Sequence, residues 1–306
     1  MIAQDAQNAQ TAFAKVNLTL RVHDRRADGY HNLTSLVAFA DYGDHMKVQA
    51  NPEITAHING PFASKLADMP EAELSFIKAA KLLKKHVQAR HDARFDGVRL
   101  GGVRLEIEKN LPLAAGLGGG SSDAAAMLRA LNALWELGFT DIELAEIGLE
   151  LGSDVPVCVM SKPCFMRQRG ERITPLAAFP ACSIVLVNSG ISMPTGPVFA
   201  ALGRQQHDPI GALDCPTGFE TLSDVVTYMK LQGNDLLEPA CRIAPAIGEM
   251  IAQIEATQAL ISSMSGSGAT CFGLYADPEA AHQAAVQLSN KYPEAFVVST
   301  TLHPVE

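Results

Sequence analysis

Leu111-Pro112-Leu113-Ala114-Ala115-Gly116-Leu117-Gly118-Gly119-Gly120-Ser121-Ser122-Asp123-Ala124-Ala125-Ala126 is the stretch on which the reading of this chain turns. Before it, Val103, Leu105 and Ile107 alternate with Arg104, Glu106 and Glu108, the period of a half-buried strand. After it, Ala124 to Leu137 reads as a helix, with Leu128, Leu131, Leu134 and Trp135 at helical spacing. The unit is strand, glycine loop, helix. Ser121 or Ser122 is expected as the N-cap, because a hydroxyl there accepts an orphan amide of the first turn. Gly116, Gly118, Gly119 and Gly120 carry no Cβ and tolerate positive φ, so an anion can approach the backbone closely. The partial positive charge of the helix start lies behind those amides, which makes the loop a phosphate cradle.

Known phosphate loops test this reading. A Walker A loop needs Lys after its last Gly, where this chain has Ser121. A dinucleotide fingerprint counted from Gly116 needs Gly at the sixth position, which is again Ser121. A plain connecting loop is the remaining alternative, and four glycines are costly to keep for that purpose. The run Pro112 to Ser122, followed by an Ala-rich helix, resembles the signature loop of the GHMP kinases, the superfamily of galactokinase, homoserine kinase and mevalonate kinase.

The whole chain narrows the function classes. Its 306 residues suffice for two domains. A hydrophobic content of 47% with 19% charged residues describes a soluble globular protein. The formal net charge of -9 argues against nucleic acid as a partner, since phosphate backbones are held by clustered Lys and Arg. No apolar run approaches the roughly 20 residues of a spanning helix, so no membrane partner is expected. The polar Met1 to Gln10 lacks a signal-peptide pattern, and the six cysteines show no C-x-x-C spacing. Core thiols in a reducing cytoplasm are expected.

From Ala12 to Val22 apolar and polar residues alternate, placing Lys15, Asn17 and Thr19 on the polar face of a strand. A solvated Lys is the ordinary outcome there. The text Ala14 to Leu20, together with Arg26-Ala27-Asp28-Gly29-Tyr30-His31-Asn32-Leu33, resembles the opening of one branch of the GHMP kinases, whose acceptor is a cytidine diphosphate ester. That resemblance implies catalytic Lys15 and substrate-binding Asn17. It also implies Tyr30 as a stacking face for the pyrimidine and His31 as a hydrogen-bond partner of its edge. Without it, Tyr30 reads as a half-buried aromatic and His31 as a surface imidazole.

Further on, Gly152-Ser153-Asp154-Val155-Pro156 follows a predicted helix. Val155 precedes proline and is biased to extended geometry, which puts Asp154 at a turn. In the family this resembles G-A-D-V-P, whose Asp is the catalytic base; here Ser153 replaces Ala. The strand Ser183–Val187 leads to a Pro194-Thr195 element and Phe199, which by resemblance become substrate-side residues, Phe199 as a second stacking partner. Core burial of Phe199 is the other reading. Gln205 to Ser223 has no period and reads as a loop, and Asn234-Asp235-Leu236 as a structural helix start. Ser265 to Leu274 resembles the third GHMP motif, a Gly/Ser loop that folds back towards the nucleotide.

Strands and helices interleave without a regular βαβ period, so the fold class is α+β. The resemblance implies an N-terminal nucleotide domain over 1–165 and a ferredoxin-like C-terminal domain over 166–306. It implies transfer of the ATP γ-phosphoryl group to the 2-hydroxyl of 4-diphosphocytidyl-2-C-methyl-D-erythritol, a step of the non-mevalonate isoprenoid-precursor pathway. The ATP-binding residues would be Pro112, Leu113, Ala114, Ala115, Gly116, Leu117, Gly118, Gly119, Gly120, Ser121 and Ser122. Mg²⁺ is expected with ATP; the pattern assigns it no side chain, and a hydroxyl at Ser121 or Ser122 is the nearest candidate. A different GHMP small-molecule kinase and a non-catalytic nucleotide sensor remain as alternatives, disfavoured by the D-G-Y-H element and by the joint presence of Lys15 and Asp154.

Overall fold

The computed structural model describes residues 8–89, 92–95, 98–203 and 215–305. The expected loop Gln205–Ser223 lies outside them through residue 214, as does most of the N-terminal segment. The chain divides into two compact units, each assembled from three stretches. One comprises the residues up to Ala14, Gly43–Leu113 and Gly118–Ser161; the other comprises Lys15–Tyr42, Ala114–Leu117 and the residues from Lys162 onward.

The chain opens on three strands, β1 (Ala9–Asn17), β2 (Arg21–Arg25) and β3 (His31–Asn51). The alternation from Ala12 to Val22 therefore does not form one strand. It breaks at Leu18–Leu20, where the Leu18 and Thr19 amides both turn to the Leu36 carbonyl, at 2.8 and 3.4 Å. Nor is its polar face solvated, since Lys15, Asn17 and Thr19 are all buried.

In the first unit, β5 (Gly102–Glu108) pairs antiparallel with β3, from His45↔Glu108 to Asn51↔Gly102. On its other side it pairs parallel with β4 (Thr55–Asn59). Val103, Leu105 and Ile107 are fully buried, as their alternation predicts. Helix α1 (Ser75–Ala89) buries Phe76, Ile77, Ala80, Leu83 and Val87 and packs on α2 (Gly119–Leu134). A short 3₁₀ turn (Glu71–Glu73) precedes α1, with Leu74 in extended backbone between the two. Helix α3 (Asp141–Gly148) starts on a capping box, the Thr140 hydroxyl and the Glu143 carboxylate each serving the other's backbone amide. α4 (Val155–Met160) packs on both α2 and α3.

In the second unit, β6 (Cys164–Gln168) pairs with the first half of β3 and with β7 (Arg172–Pro175). The central strand is β8 (Cys182–Asn188), buried along its whole length. It is followed by α5 (Thr195–Leu202), α6 (Leu222–Gln232), α7 (Leu237–Ile243) and α8 (Ala246–Ala256). Then come β9 (Ile261–Met264), β10 (Cys271–Tyr275), α9 (Pro278–Lys291) and β11 (Phe296–Leu302). β8, β9, β10 and β11 lie in the order β11-β8-β10-β9, every neighbouring pair antiparallel. Counted along the chain that order is 4-1-3-2, the βαββαβ arrangement of a ferredoxin-like domain. Val185 and Val187 of β8, Ile247 and Ile254 of α8, and Ala284 and Leu288 of α9 share its core. Asp277 caps α9 with Pro278 in the first turn. None of the six cysteines is in a disulfide, and burial pushes the thiols of Cys182 and Cys271 up to about 12.

Candidate active site

The glycine loop runs from β5 into α2. Neither serine caps that helix. Gly118 does, with left-handed backbone (φ 65°, ψ 17°) that a side chain would penalise. The first bond along the helix joins the Ser122 amide to the Gly118 carbonyl at 2.8 Å. The amides of Gly119, Gly120 and Ser121 thus precede the helical ladder, as an anion site requires. Ser122 is buried, and its hydroxyl donates to the Phe13 carbonyl at 2.8 Å and lies 3.4 Å from the Cys158 thiol. Its hydroxyl docks α2 rather than capping it, and the cap stands three residues before Ser121 and four before Ser122.

The middle of the loop, Ala114–Leu117, belongs to the second unit and is held there on its backbone. Gly116 has φ 79°, and a Cβ would stand 2.4 Å from the Ser265 carbonyl oxygen. The Ser265 hydroxyl donates to the Gly116 carbonyl at 2.7 Å, and the Thr270 amide to that of Ala115 at 3.0 Å. The Lys15 amide reaches the Leu117 carbonyl at 2.9 Å. The Gly/Ser loop between β9 and β10 is therefore seated directly on the glycine loop.

From the same region a buried polar chain extends along the end of β1. The Lys15 ammonium donates to Asn17 Oδ1 at 3.1 Å, Asn17 Nδ2 to the Ser35 hydroxyl at 2.7 Å, and Ser35 to the Thr19 carbonyl at 2.6 Å. The Asn17 amide donates to the Ser265 hydroxyl. Asn234, which the sequence suggests only as part of a helix start, anchors the Gly/Ser loop through Nδ2 to the Met264 and Gly266 carbonyls. Its signal was the Asn-Asp pair, a residue type that bonds nearby backbone.

The expected base-binding residues also fall in the second unit. The rings of His31 and Phe199 stack at 5.2 Å and 27°. Phe199 is half-buried on α5, and Tyr30 is 55% exposed beside it in sequence to His31, with the Arg169 guanidinium 5.1 Å from its ring centre. The Thr195 hydroxyl lies 3.1 Å from that of Ser267 in the Gly/Ser loop.

Asp154 stands in the first unit at the start of α4. The expected extended Val155 is instead the first helical residue, because Pro156 falls in the first turn, where its missing amide costs nothing. The carboxylate does not cap the helix. The far end of α4 is fixed by Arg129 of α2, which donates to the Cys158 and Val159 carbonyls at 2.9 and 3.1 Å and to the Thr11 carbonyl at 3.3 Å. A lone arginine in an apolar helix gave no advance sign of this.

Comparison with known proteins decides the family. Residues 75–162 match the GHMP kinases N terminal domain, and residues 221–294 match the GHMP kinases C terminal domain. A 4-diphosphocytidyl-2-C-methyl-D-erythritol kinase of Parvibaculum lavamentivorans is 42% identical over 93% of this chain and 94% of its own length. One of Cereibacter sphaeroides is 42% identical over 94% and 96%. The chain belongs to the 4-diphosphocytidyl-2-C-methyl-D-erythritol kinase family of GHMP kinases. A crystal structure of a 4-(cytidine 5'-diphospho)-2C-methyl-D-erythritol kinase superposes with a TM-score of 0.74 at 32% identity, covering 96% of this chain and 98% of that one. L. major mevalonate kinase, at 17% identity and a TM-score of 0.66, shares the fold.

Within this GHMP kinase, the glycine loop and Asp154 fall inside the first matched domain and the Gly/Ser loop inside the second. Lys15, Asn17, Tyr30 and His31 precede both, and Thr195 and Phe199 lie between them. A GHMP kinase uses ATP as co-substrate. Among the described residues no three His, Cys, Asp or Glu side chains gather as a metal cluster. The oxygen donors at the glycine loop fit a Mg²⁺ held chiefly by phosphates, with Ser121 on the first turn as the available hydroxyl, since that of Ser122 serves Phe13. Among the described residues no helix is long and apolar enough to cross a membrane.

Proposed function

We propose that this chain transfers the γ-phosphoryl group of ATP to the 2-hydroxyl of 4-diphosphocytidyl-2-C-methyl-D-erythritol, giving the 2-phosphate and ADP in the non-mevalonate isoprenoid-precursor pathway. The observation that carries this reading is the near-full-length identity of 42% to kinases of that name. Phosphoryl transfer needs positioning and charge stabilisation more than covalent chemistry from the protein. The loop Pro112 to Ser122 holds the ATP phosphates, with the Gly119, Gly120 and Ser121 amides as its backbone donors. The carboxylate of Asp154 accepts the proton of the attacking 2-hydroxyl as its oxygen bonds to the γ-phosphorus and the bond to the ADP oxygen breaks. The Lys15 ammonium, directed by Asn17, orients that hydroxyl and offsets charge on the transferring group.

Tyr30 and Phe199 stack on the cytosine, His31 bonds its edge, and Thr195 contacts the substrate from the start of α5. Ser121 would be the chain's own ligand for a Mg²⁺ that would enter with ATP and neutralise charge on its phosphates. Residues 1–165 and 166–306 correspond to the nucleotide-binding and ferredoxin-like parts in sequence, and the enzyme works in the cytoplasm on a small molecule, without nucleic acid. The position of transfer is tested by ³¹P and ¹³C NMR of the product. Coupling of the new phosphorus to C2 of the erythritol supports the reading, and phosphate on another carbon rejects it.

A further inference from the structure

The loop has a second set of buried charges that the reaction leaves unused. Asp44 of β3, Lys109 at the end of β5 and Asp123 of α2 are almost wholly buried. The Lys109 ammonium bridges the two carboxylates, donating to Asp44 Oδ2 and, at 2.6 Å, to Asp123 Oδ2. Asp44 Oδ1 accepts the amides of Asn110 and Leu111 at 2.6 and 2.8 Å. The Leu111 side chain lies under the first residue of α2, where a Cβ on Gly119 would stand 3.7 Å from it. Asp44 therefore pins the residues that lead into the glycine loop, and Lys109 ties them to the helix that leaves it.

This arrangement is expensive to bury. Desolvation pushes the Asp123 carboxyl up, to about 8, against the pull of Lys109 and with the Asp44 charge adding to the push. Asp123 Oδ1 has no hydrogen-bond partner among the described residues. Buried ion pairs are often no more stabilising than apolar packing of the same volume, and their best-attested use is to fix one geometry. The geometry fixed here is that of the Gly119, Gly120 and Ser121 amides. We propose that Asp44, Lys109 and Asp123 are positioning residues for ATP, clamping the two flanks of the glycine loop so that those amides converge on the phosphates. The proposal rests on the reading of this loop as the ATP site.

Asp123→Ala tests it, because the charge-balanced Lys109–Asp44 pair survives and alanine suits a buried helix position. With folding checked by circular dichroism, steady-state kinetics are measured for Asp123→Ala, Asp123→Asn and Lys109→Met. The expected result for Asp123→Ala is a KM for ATP raised roughly tenfold or more, as a misplaced site of about 1 Å implies. The KM for the cytidyl substrate and kcat at saturating ATP should stay within about threefold. Asp123→Asn keeps an acceptor for Lys109 and should restore most of the ATP affinity, and Lys109→Met, if folded, should follow Asp123→Ala. An unchanged KM for ATP in folded Asp123→Ala overturns the proposal, as does an equal rise in both KM values or a failure of Asn to rescue. Gly118→Val in the same series separates the two readings: if it too leaves ATP binding intact, the loop is not the ATP site at all.

Discussion

At the residue scale, the chemistry we propose turns on Asp154 and Lys15. Asp154→Asn keeps the volume and removes the acceptor charge, so binding should survive while kcat falls 10²–10⁴-fold, roughly the contribution of a general base. Lys15→Met should also lower kcat. Combined with Asp154→Asn it should cost less than the sum of the two, because residues serving one transition state act as a unit. Steady-state kinetics of the single and double variants check both points, and retained activity in a folded Asp154→Asn would reduce Asp154 to a turn residue. Phe199 carries a separate expectation. It lies half-buried against His31, so Phe199→Ala should raise the KM for the cytidyl substrate about 5- to 150-fold, as loss of a stacking contact worth about 1–3 kcal/mol implies. The KM for ATP should barely move. Equal effects on both would make Phe199 a core residue.

At the scale of the elements, the strand–glycine loop–helix unit was legible because its parts signal independently: alternation in β5, glycines without Cβ, and helical spacing in α2. The details that were not legible depend on partners distant in sequence. The hydroxyl of Ser122 looks like a cap until Phe13, over a hundred residues earlier, claims it. Lys15 looks solvated because alternation marks its face as polar, but the residues that cover that face, Ser35 and Ser265 among them, come from other segments. Asp123 sits in an alanine-rich run with no local hint that Lys109 and Asp44 meet it. The cap itself yields a prediction. Gly118→Val places a branched side chain at positive φ on the first turn, so ATP affinity measured by calorimetry should fall sharply in a protein that still folds. Unchanged affinity would remove this turn from the nucleotide site.

At the scale of the whole molecule, the α+β class follows from strand and helix text that could be read in sequence, whereas the ferredoxin-like order of β11, β8, β10 and β9 was expected only from the family resemblance. The interleaving of the two compact units could not, because periodicity is local, whereas short segments such as Ala114–Leu117 join a unit otherwise built from distant text. The net charge of -9 gives the molecule a field unfavourable to polyanions, so phosphate-bearing substrates need local donors, which we propose are the loop amides and Lys15. Which acceptor those donors serve is the central claim. Release of ADP, measured with 4-diphosphocytidyl-2-C-methyl-D-erythritol, homoserine and mevalonate offered separately, tests it most directly. The account predicts rapid ADP release with the cytidyl substrate and background rates with the other two. Turnover of homoserine or mevalonate at a comparable rate, or none with the cytidyl substrate, would contradict it.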